Sequence, residues 1–127
     1  MAETMTIRIL VVEDDPLVAM MIEGYLDALD VQTVGCVESV DGAVASIRAG
    51  GFDAAIVDVH LASGQTSGPV ARALRAAGLP FIVMTGSGVS DDAAYEGAPL
   101  LTKPFKLKNL EAVLHKLGIV PLMANSL

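Results

Sequence analysis

The chain has 127 residues, of which 53% are hydrophobic and 18% charged, so we expect one domain with a sizeable core and exclude an intrinsically disordered chain. Lys and Arg total 8 against 15 Asp and Glu, and the resulting net charge of -7 argues against sequence-independent binding to nucleic acid. Neither a secretory signal nor an apolar run near the roughly 18 residues of a membrane span is present, so we expect a cytoplasmic protein without membrane contact.

Short apolar runs alternate with helical patterns along the chain. In chain order, the predicted elements are a strand at 7–12, a helix at 16–29, a strand at 31–37, a helix at 41–48, a strand at 53–59, a helix at 68–77, a strand at 79–85, a weak helical segment at 86–98, a strand at 99–102 and a helix at 107–117. Pro16 suits a first helical turn, and Gly78 suits a helix end. Because the segment 86–98 contains three glycines, we predict that its helix is short or mobile.

Three of the predicted strands have continuous rather than alternating apolar residues, at 9–12, 54–57 and 81–84. Such runs are typical of strands that are buried on both faces of a sheet. The alternation of strands and helices predicts an α/β fold, a doubly wound five-stranded parallel sheet flanked by helices. Cys36, the single cysteine, excludes an internal disulfide, and its position in the second strand predicts a small buried residue.

Polar side chains follow four of the five predicted strands. They are Glu13, Asp14 and Asp15 after the first strand, Asp58 at the end of the third, Thr85 after the fourth and Lys103 after the fifth. Ligands of doubly wound folds bind beyond the carboxyl ends of the strands, where these residues lie. Neighbouring carboxylates repel one another unless a positive charge lies between them, and oxygen ligands favour Mg²⁺. The sequence therefore predicts a Mg²⁺ site with a lysine and a hydroxyl beside it.

Four segments of the chain carry a family resemblance, namely ILVVEDDP, DVHL, TG and KPF. Together they resemble the receiver domain of bacterial two-component response regulators, over residues 6 to 118. The resemblance implies a receiver domain at 1–118, a short C-terminal tail at 119–127 and no output domain. It also implies a flavodoxin-like sheet with the strand order 2-1-3-4-5.

The resemblance also implies how the acidic residues act. Asp58 is the implied phosphoacceptor. The implied Mg²⁺ ligands are Asp14 directly, Glu13 mainly through water, Asp58 and the backbone carbonyl of His60. The side chain of His60 is expected only to border the pocket. Asp15 falls outside the matching acidic pair, so we expect it to be solvated or to cap a helix.

Two further residues complete the implied site. Thr85 hydrogen-bonds a phosphoryl oxygen, and Lys103 pairs with the phosphoryl group. A cis peptide bond before Pro104 is expected to aim Lys103 into the site. Both residues act on the charge that phosphorylation adds, since an acyl phosphate carries extra negative charge and strong acceptor oxygens.

The chain departs from the common family pattern in three places. Leu100 stands where the family usually carries an aromatic switch residue, so it offers no ring hydroxyl to couple with Thr85. The segment between Thr85 and Lys103 is short, and the polar loop after Asp58 is long. With PFIVMTGSG and GPVARAL, these features resemble a subgroup of alphaproteobacterial single-domain receivers with a Phe-Ala-Thr-Gly-type motif, which the chain matches in part.

The implied function is that of a single-domain response regulator. It accepts a phosphoryl group on Asp58 from a histidine kinase or a histidine phosphotransfer protein and signals through contact with an unknown protein target. No direct DNA binding is expected, nor any enzyme activity beyond Mg²⁺-dependent phosphorylation and dephosphorylation of the chain itself. Two alternatives stay open: a phosphate sink that drains a kinase, and an interaction module that works independently of phosphorylation.

Two functions outside this family fit the residues less well. A flavodoxin-type nucleotide binder requires a phosphate cradle rich in glycine and hydroxyl groups after the first strand, where the acids at 13–15 would repel the phosphate. An aspartate-nucleophile phosphatase uses a second aspartate two residues after the nucleophile. His60 occupies that position here.

Overall fold

The computed structural model describes residues 6–86 and 92–119. Five strands form one parallel sheet in the order β2-β1-β3-β4-β5, which confirms the predicted topology. The strands are β1 (Arg8–Val12), β2 (Gln32–Val37), β3 (Ala54–Asp58), β4 (Phe81–Thr85) and β5 (Leu100–Thr102). The α-helices are α1 (Pro16–Ala28), α2 (Val40–Ala49), α3 (Gly68–Ala76) and α4 (Leu107–Lys116).

Local sequence signals explain where the helices begin and end. The Asp15 carboxylate accepts a hydrogen bond from the Leu17 N–H at 2.9 Å, and Pro16 fills the first turn of α1. Asp15 is therefore a helix cap, as expected. The hydroxyl of Ser39 caps α2 in the same way, and α2 ends at Gly50, whose φ of 74° lies in the left-handed region that glycine tolerates.

The sheet separates two apolar clusters, because successive residues of a strand point to opposite faces. In β1, Leu10 and Val12 belong to the cluster that α2 and α3 cover, whereas Ile9 and Val11 belong to the cluster of α1 and α4. All residues of β3 and β4 are buried, as their continuous apolar runs predict. Across the described residues, every helix is too short or too polar to cross a membrane.

The edge strand β2 accounts for one wrong prediction. Cys36 is exposed rather than buried. The strand alternates between exposed and partly buried residues along its length, from Gln32 to Val37. It pairs only with β1, so helices cover it less completely than the central strands. The prediction of a buried Cys36 is wrong because the residue lies on an edge strand.

The described parts of the two long connections near the carboxyl ends of the strands contain little helix. Between β3 and α3, the chain forms a 3-10 turn at Ala62–Gly64 and an isolated bridge between His60 and Thr66. In the described part of the connection between β4 and β5, the helix is a single 3-10 turn at Ala93–Tyr95, which confirms that it is short. Residues 87–91 of this connection lie outside the described part of the chain, so the predicted mobility stays a prediction.

Candidate functional site

Parallel pairing brings the acids of two strands together. Val12 of β1 lies opposite Val57 of β3, so the residues that follow them emerge side by side at the carboxyl end of the sheet. Oxygen atoms of Glu13, Asp14 and Asp58 all lie within 4.8 Å of one another. Glu13 is 3% exposed and Asp58 is 5% exposed, which is unusual for carboxylates unless they are paired.

Lys103 supplies the pairing charge. Its Nζ atom donates to Asp58 Oδ2 at 2.7 Å and to Glu13 Oε1 at 2.9 Å. The backbone holds this lysine in place, because its N–H donates to the Thr85 carbonyl at 2.8 Å and the bond to Pro104 is cis, as expected. We call Glu13, Asp14, Asp58 and Lys103 the acidic pocket.

The pKa shifts within the acidic pocket follow from burial and charge. Burial raises the pKa of Glu13, and the nearby negative charge of Asp58 raises it further, while hydrogen bonds from Lys103 and the Asp15 N–H oppose the shift. For Lys103, burial lowers the pKa of the ammonium group, but the hydrogen bonds to Asp58 and Glu13 outweigh it and the pKa is raised. The lysine therefore stays charged.

The charge balance of the acidic pocket favours a divalent cation. Three carboxylates face one ammonium group, so two negative charges remain in excess when all are ionised. The donor set consists of oxygen atoms only, which is the set that Mg²⁺ prefers. The residues present therefore fit a Mg²⁺ ion.

Thr85 and His60 lie beside the acidic pocket in different ways. Thr85 ends β4, directly after Met84, which pairs with Asp58, and it is buried. His60 is exposed, and the expectation that its side chain only borders the site stays a prediction. Its backbone N–H donates to Asp58 Oδ1 at 3.3 Å. The sequence did not indicate this contact, because backbone donors leave no signal in residue type.

Leu100 lies on β5 opposite Val83 and is 40% exposed. Its side chain adds an apolar surface beside β4 but no hydrogen-bonding group. Among the other described large apolar residues, Leu17 and Met20 at the start of α1 are also exposed. Leu100 therefore provides no hydroxyl group to couple with Thr85.

Two comparisons of sequences bear on this site. A sequence model of the family described as response regulator receiver domain matches residues 9–115. This range contains every residue of the acidic pocket, together with Thr85 and His60. A search of curated proteins finds no match.

Solved structures resemble the chain over most of its length. The solution structure of SdrG from Sphingomonas melonis Fr1 is 45% identical and covers 91% of this chain and 98% of its own, with a TM-score of 0.81. A BeF3-activated conformation of SdrG, from Pseudomonas melonis Fr1, is 46% identical and covers 89% of this chain and 96% of its own, with a TM-score of 0.75. A third structure is the receiver domain of the sensor histidine kinase PA1611 from Pseudomonas aeruginosa PAO1, with a magnesium ion in its active site cleft. It is 27% identical and covers 88% of this chain and 97% of its own, with a TM-score of 0.76.

Proposed function

The chain belongs to the response regulator receiver domain family of two-component signalling, and from this membership we propose that Asp58 accepts a phosphoryl group from a phosphohistidine donor. The donor is a histidine kinase or a histidine phosphotransfer protein. The phosphorylated domain then signals through contact with another protein. We further propose that the chain is a switch and that it acts on no substrate other than its own phosphoryl group.

The observation that carries this proposal is the double hydrogen bond of Lys103. One ammonium group contacts both Asp58 and Glu13, so it lies where charge from a phosphoryl group on Asp58 would develop. An oxygen of Asp58 attacks phosphorus, the bond from phosphorus to the donor nitrogen breaks, and the electron pair leaves on that nitrogen. Phosphoryl transfer depends mostly on position and charge neutralisation, and the lysine supplies both.

The remaining residues complete this chemistry. Glu13, Asp14 and Asp58, with the His60 carbonyl, would hold a Mg²⁺ ion that neutralises charge on the phosphoryl oxygens. The magnesium ion in the active site cleft of the PA1611 receiver domain supports this ligand. Thr85 directly follows Met84, the β4 partner of Asp58, and its hydroxyl would donate to a phosphoryl oxygen. The His60 N–H already contacts Asp58 and limits how that carboxylate can turn.

The experiment that tests this function uses the chain with Mg²⁺ and a small phosphodonor. We expect a mass increase of one phosphoryl group in the wild type and none in Asp58→Ala. Asp15→Asn is the matched control, because it removes a nearby carboxylate that caps α1 and does not belong to the acidic pocket. Asparagine caps a helix about as well as aspartate, so this variant is expected to label normally.

Two outcomes would contradict the proposal. One is the absence of a mass change in the wild type. The other is an equal change in Asp58→Ala. Beryllofluoride with Mg²⁺ provides an independent check, since it should shift the amide spectrum of the wild type but not that of Asp58→Ala. The BeF3-activated conformation of SdrG supports the choice of this probe.

A further inference from the structure

One buried polar side chain of the described residues lies outside the acidic pocket and its neighbours. Polar or charged residues are buried at four of the described positions, namely Glu13, Asp58, Ser67 and Thr85. Ser67 is 0% exposed and precedes the first residue of α3. Its hydroxyl lies 2.9 Å from the hydroxyl of Tyr95, which is buried as well. A buried hydroxyl is unfavourable without a partner, so each of these two groups depends on the other. We call this pair the hydroxyl contact.

The backbone of Ser67 connects the hydroxyl contact to the phosphoacceptor strand. The Ser67 N–H donates to the Val59 carbonyl at 2.9 Å, and Val59 directly follows Asp58. The Val59 N–H in turn donates to the Met84 carbonyl at 2.9 Å, directly before Thr85. A displacement of the chain just after Asp58 therefore acts on Ser67 through one hydrogen bond.

The other partner, Tyr95, belongs to the connection between β4 and β5. Helix α3 holds this connection at several points. Arg75 Nε donates to the Ala94 carbonyl at 2.8 Å, and the Arg75 guanidinium also donates to the Glu96 carbonyl. The Arg72 guanidinium lies 3.5 Å from the Asp92 carboxylate. These contacts hold the segment 92–96 along α3, while the hydroxyl contact joins Tyr95 to Ser67 just before the helix.

Gly68 shows how closely α3 and the segment 92–96 approach each other. A Cβ atom at this position would lie 2.5 Å from Asp92 Oδ2. Glycine at the first position of α3 allows this close approach without moving the Asp92 side chain. Any larger residue displaces the Asp92 carboxylate, which also caps the 3-10 turn by accepting from the Ala94 N–H at 2.9 Å.

We propose that the hydroxyl contact transmits the state of Asp58 to the segment 92–96. Leu100 has no hydroxyl, so Tyr95 provides the aromatic hydroxyl group that the β5 position lacks. When phosphorylation shifts the backbone after Asp58, Ser67 shifts with Val59, and Tyr95 either follows or loses its partner. Tyr95 is thus a positioning residue that makes no contact with the phosphoryl group. This inference rests on the proposed phosphorylation of Asp58.

The test compares amide exchange over 92–96 with and without beryllofluoride and Mg²⁺. In the wild type, we expect activation to change the exchange rates of this segment by about fivefold, the effect of one net hydrogen bond. In Tyr95→Phe and Ser67→Ala, we expect the change to fall below about twofold. All three proteins should take up the phosphoryl group on Asp58 to the same extent by mass.

Two control variants separate the hydroxyl contact from general packing. Tyr25→Phe removes the hydroxyl of the second tyrosine, on α1, and is expected to keep the fivefold response. Gly68→Ala displaces Asp92 but leaves both hydroxyls in place, and it should also keep a response at Tyr95. Ser67→Ala is the second line of evidence if Tyr95→Phe does not fold.

The outcomes distinguish this inference from the proposed function. If the wild type is phosphorylated but the segment 92–96 does not respond, the inference fails and the proposed function stands. A full response in both Tyr95→Phe and Ser67→Ala would also overturn the inference. If the wild type takes up no phosphoryl group, the proposed function fails first, and the inference fails with it.

Discussion

The loop between β3 and α3 joins two polar regions that are stabilised in different ways. At its start, the acidic pocket places three carboxylates around one ammonium group, with an excess of negative charge. At its end, the hydroxyl contact pairs two neutral groups that satisfy each other. The first region therefore responds strongly to pH, salt and cations, whereas the second depends mainly on the geometry that brings its two hydroxyl groups together. The comparison separates a region whose stability depends on charge from a region whose stability depends on the match of two hydroxyl groups.

The largest expected effect is on the acidic pocket. Replacing Lys103 with alanine removes the ammonium group that contacts both Asp58 and Glu13. We expect the rate of phosphorylation by a small phosphodonor to fall by about 100-fold, as for the loss of one preorganised donor. Lys108→Ala is the control, because Lys108 is exposed on α4. Equal rates in Lys103→Ala and Lys108→Ala would show that the ammonium group plays no part in the transfer.

The hydroxyl contact should show a smaller effect that is independent of salt. In Tyr95→Phe, the Ser67 hydroxyl stays buried without this partner, and we expect the free energy of unfolding to fall by about 1.5 kcal/mol. A double-mutant cycle with Ser67→Ala should give a coupling energy of about 1 kcal/mol. Urea unfolding at low and high salt measures both values. Additive effects of the two substitutions would mean that the two hydroxyls do not interact.

Neutralising Glu13 should raise the free energy of unfolding, whereas loss of the hydroxyl contact lowers it. Burial and the charge of Asp58 both raise the pKa of Glu13, so its ionised form is unfavourable in the folded protein. We expect Glu13→Gln to raise the free energy of unfolding at pH 7 by about 1 kcal/mol without Mg²⁺, and to weaken Mg²⁺ binding. Chemical unfolding with chelator and then with added Mg²⁺ measures both effects. A loss of stability in the chelated protein would contradict the charge balance described above.

The smallest expected effect is the dependence of the free energy of unfolding on pH. In the folded protein the pKa of Glu13 is raised above its ordinary value of 4.5. At pH values between 4.5 and this raised pKa, the folded protein therefore binds more protons than the unfolded chain. Without Mg²⁺, the contribution of Glu13 to stability therefore increases as the pH falls from neutrality towards 4.5. Lys103 has a raised pKa too, so its contribution is complete below 10.5 and is lost as the pH rises through the raised value.

This pH dependence is measured by unfolding wild type and Glu13→Gln across the interval from pH 7 towards the ordinary carboxyl value. We expect the difference between their free energies of unfolding to shrink by less than about 1 kcal/mol as the pH falls. Tyr95→Phe should follow the wild-type curve at a constant offset. A constant difference between wild type and Glu13→Gln would show that Glu13 does not titrate in this range.

Much of the acidic pocket could be predicted because it depends on local patterns. Continuous apolar runs identified β3 and β4 as central strands, and the polar residues directly after strands identified Asp58 and Thr85. Asp15 falls outside the acidic pair of the family, so a solvated or capping role could be expected of it, and the structure shows the cap. In each case the signal spans a few residues, since hydrophobic periodicity and capping act over one strand or one helical turn.

What the sequence did not indicate depends on contacts between distant residues. The hydroxyl contact joins positions 28 residues apart, and neither Ser67 nor Tyr95 stands out by residue type. The exposure of Cys36 follows from the place of β2 at the edge of the sheet, which a strand pattern alone does not reveal. Both outcomes required the order of the strands and the packing of the helices on them.

The sequence by itself determined the alternation of strands and helices and the residues that supply charge at the strand ends. Only the tertiary structure decided which of those residues meet. Lys103 reaches Glu13 across 90 positions and Asp58 across 45, because parallel pairing brings the carboxyl ends of β1, β3 and β5 to one edge. The physical reason is that a side chain's chemistry is a property of its residue, whereas its partner is set by the packing of the whole sheet.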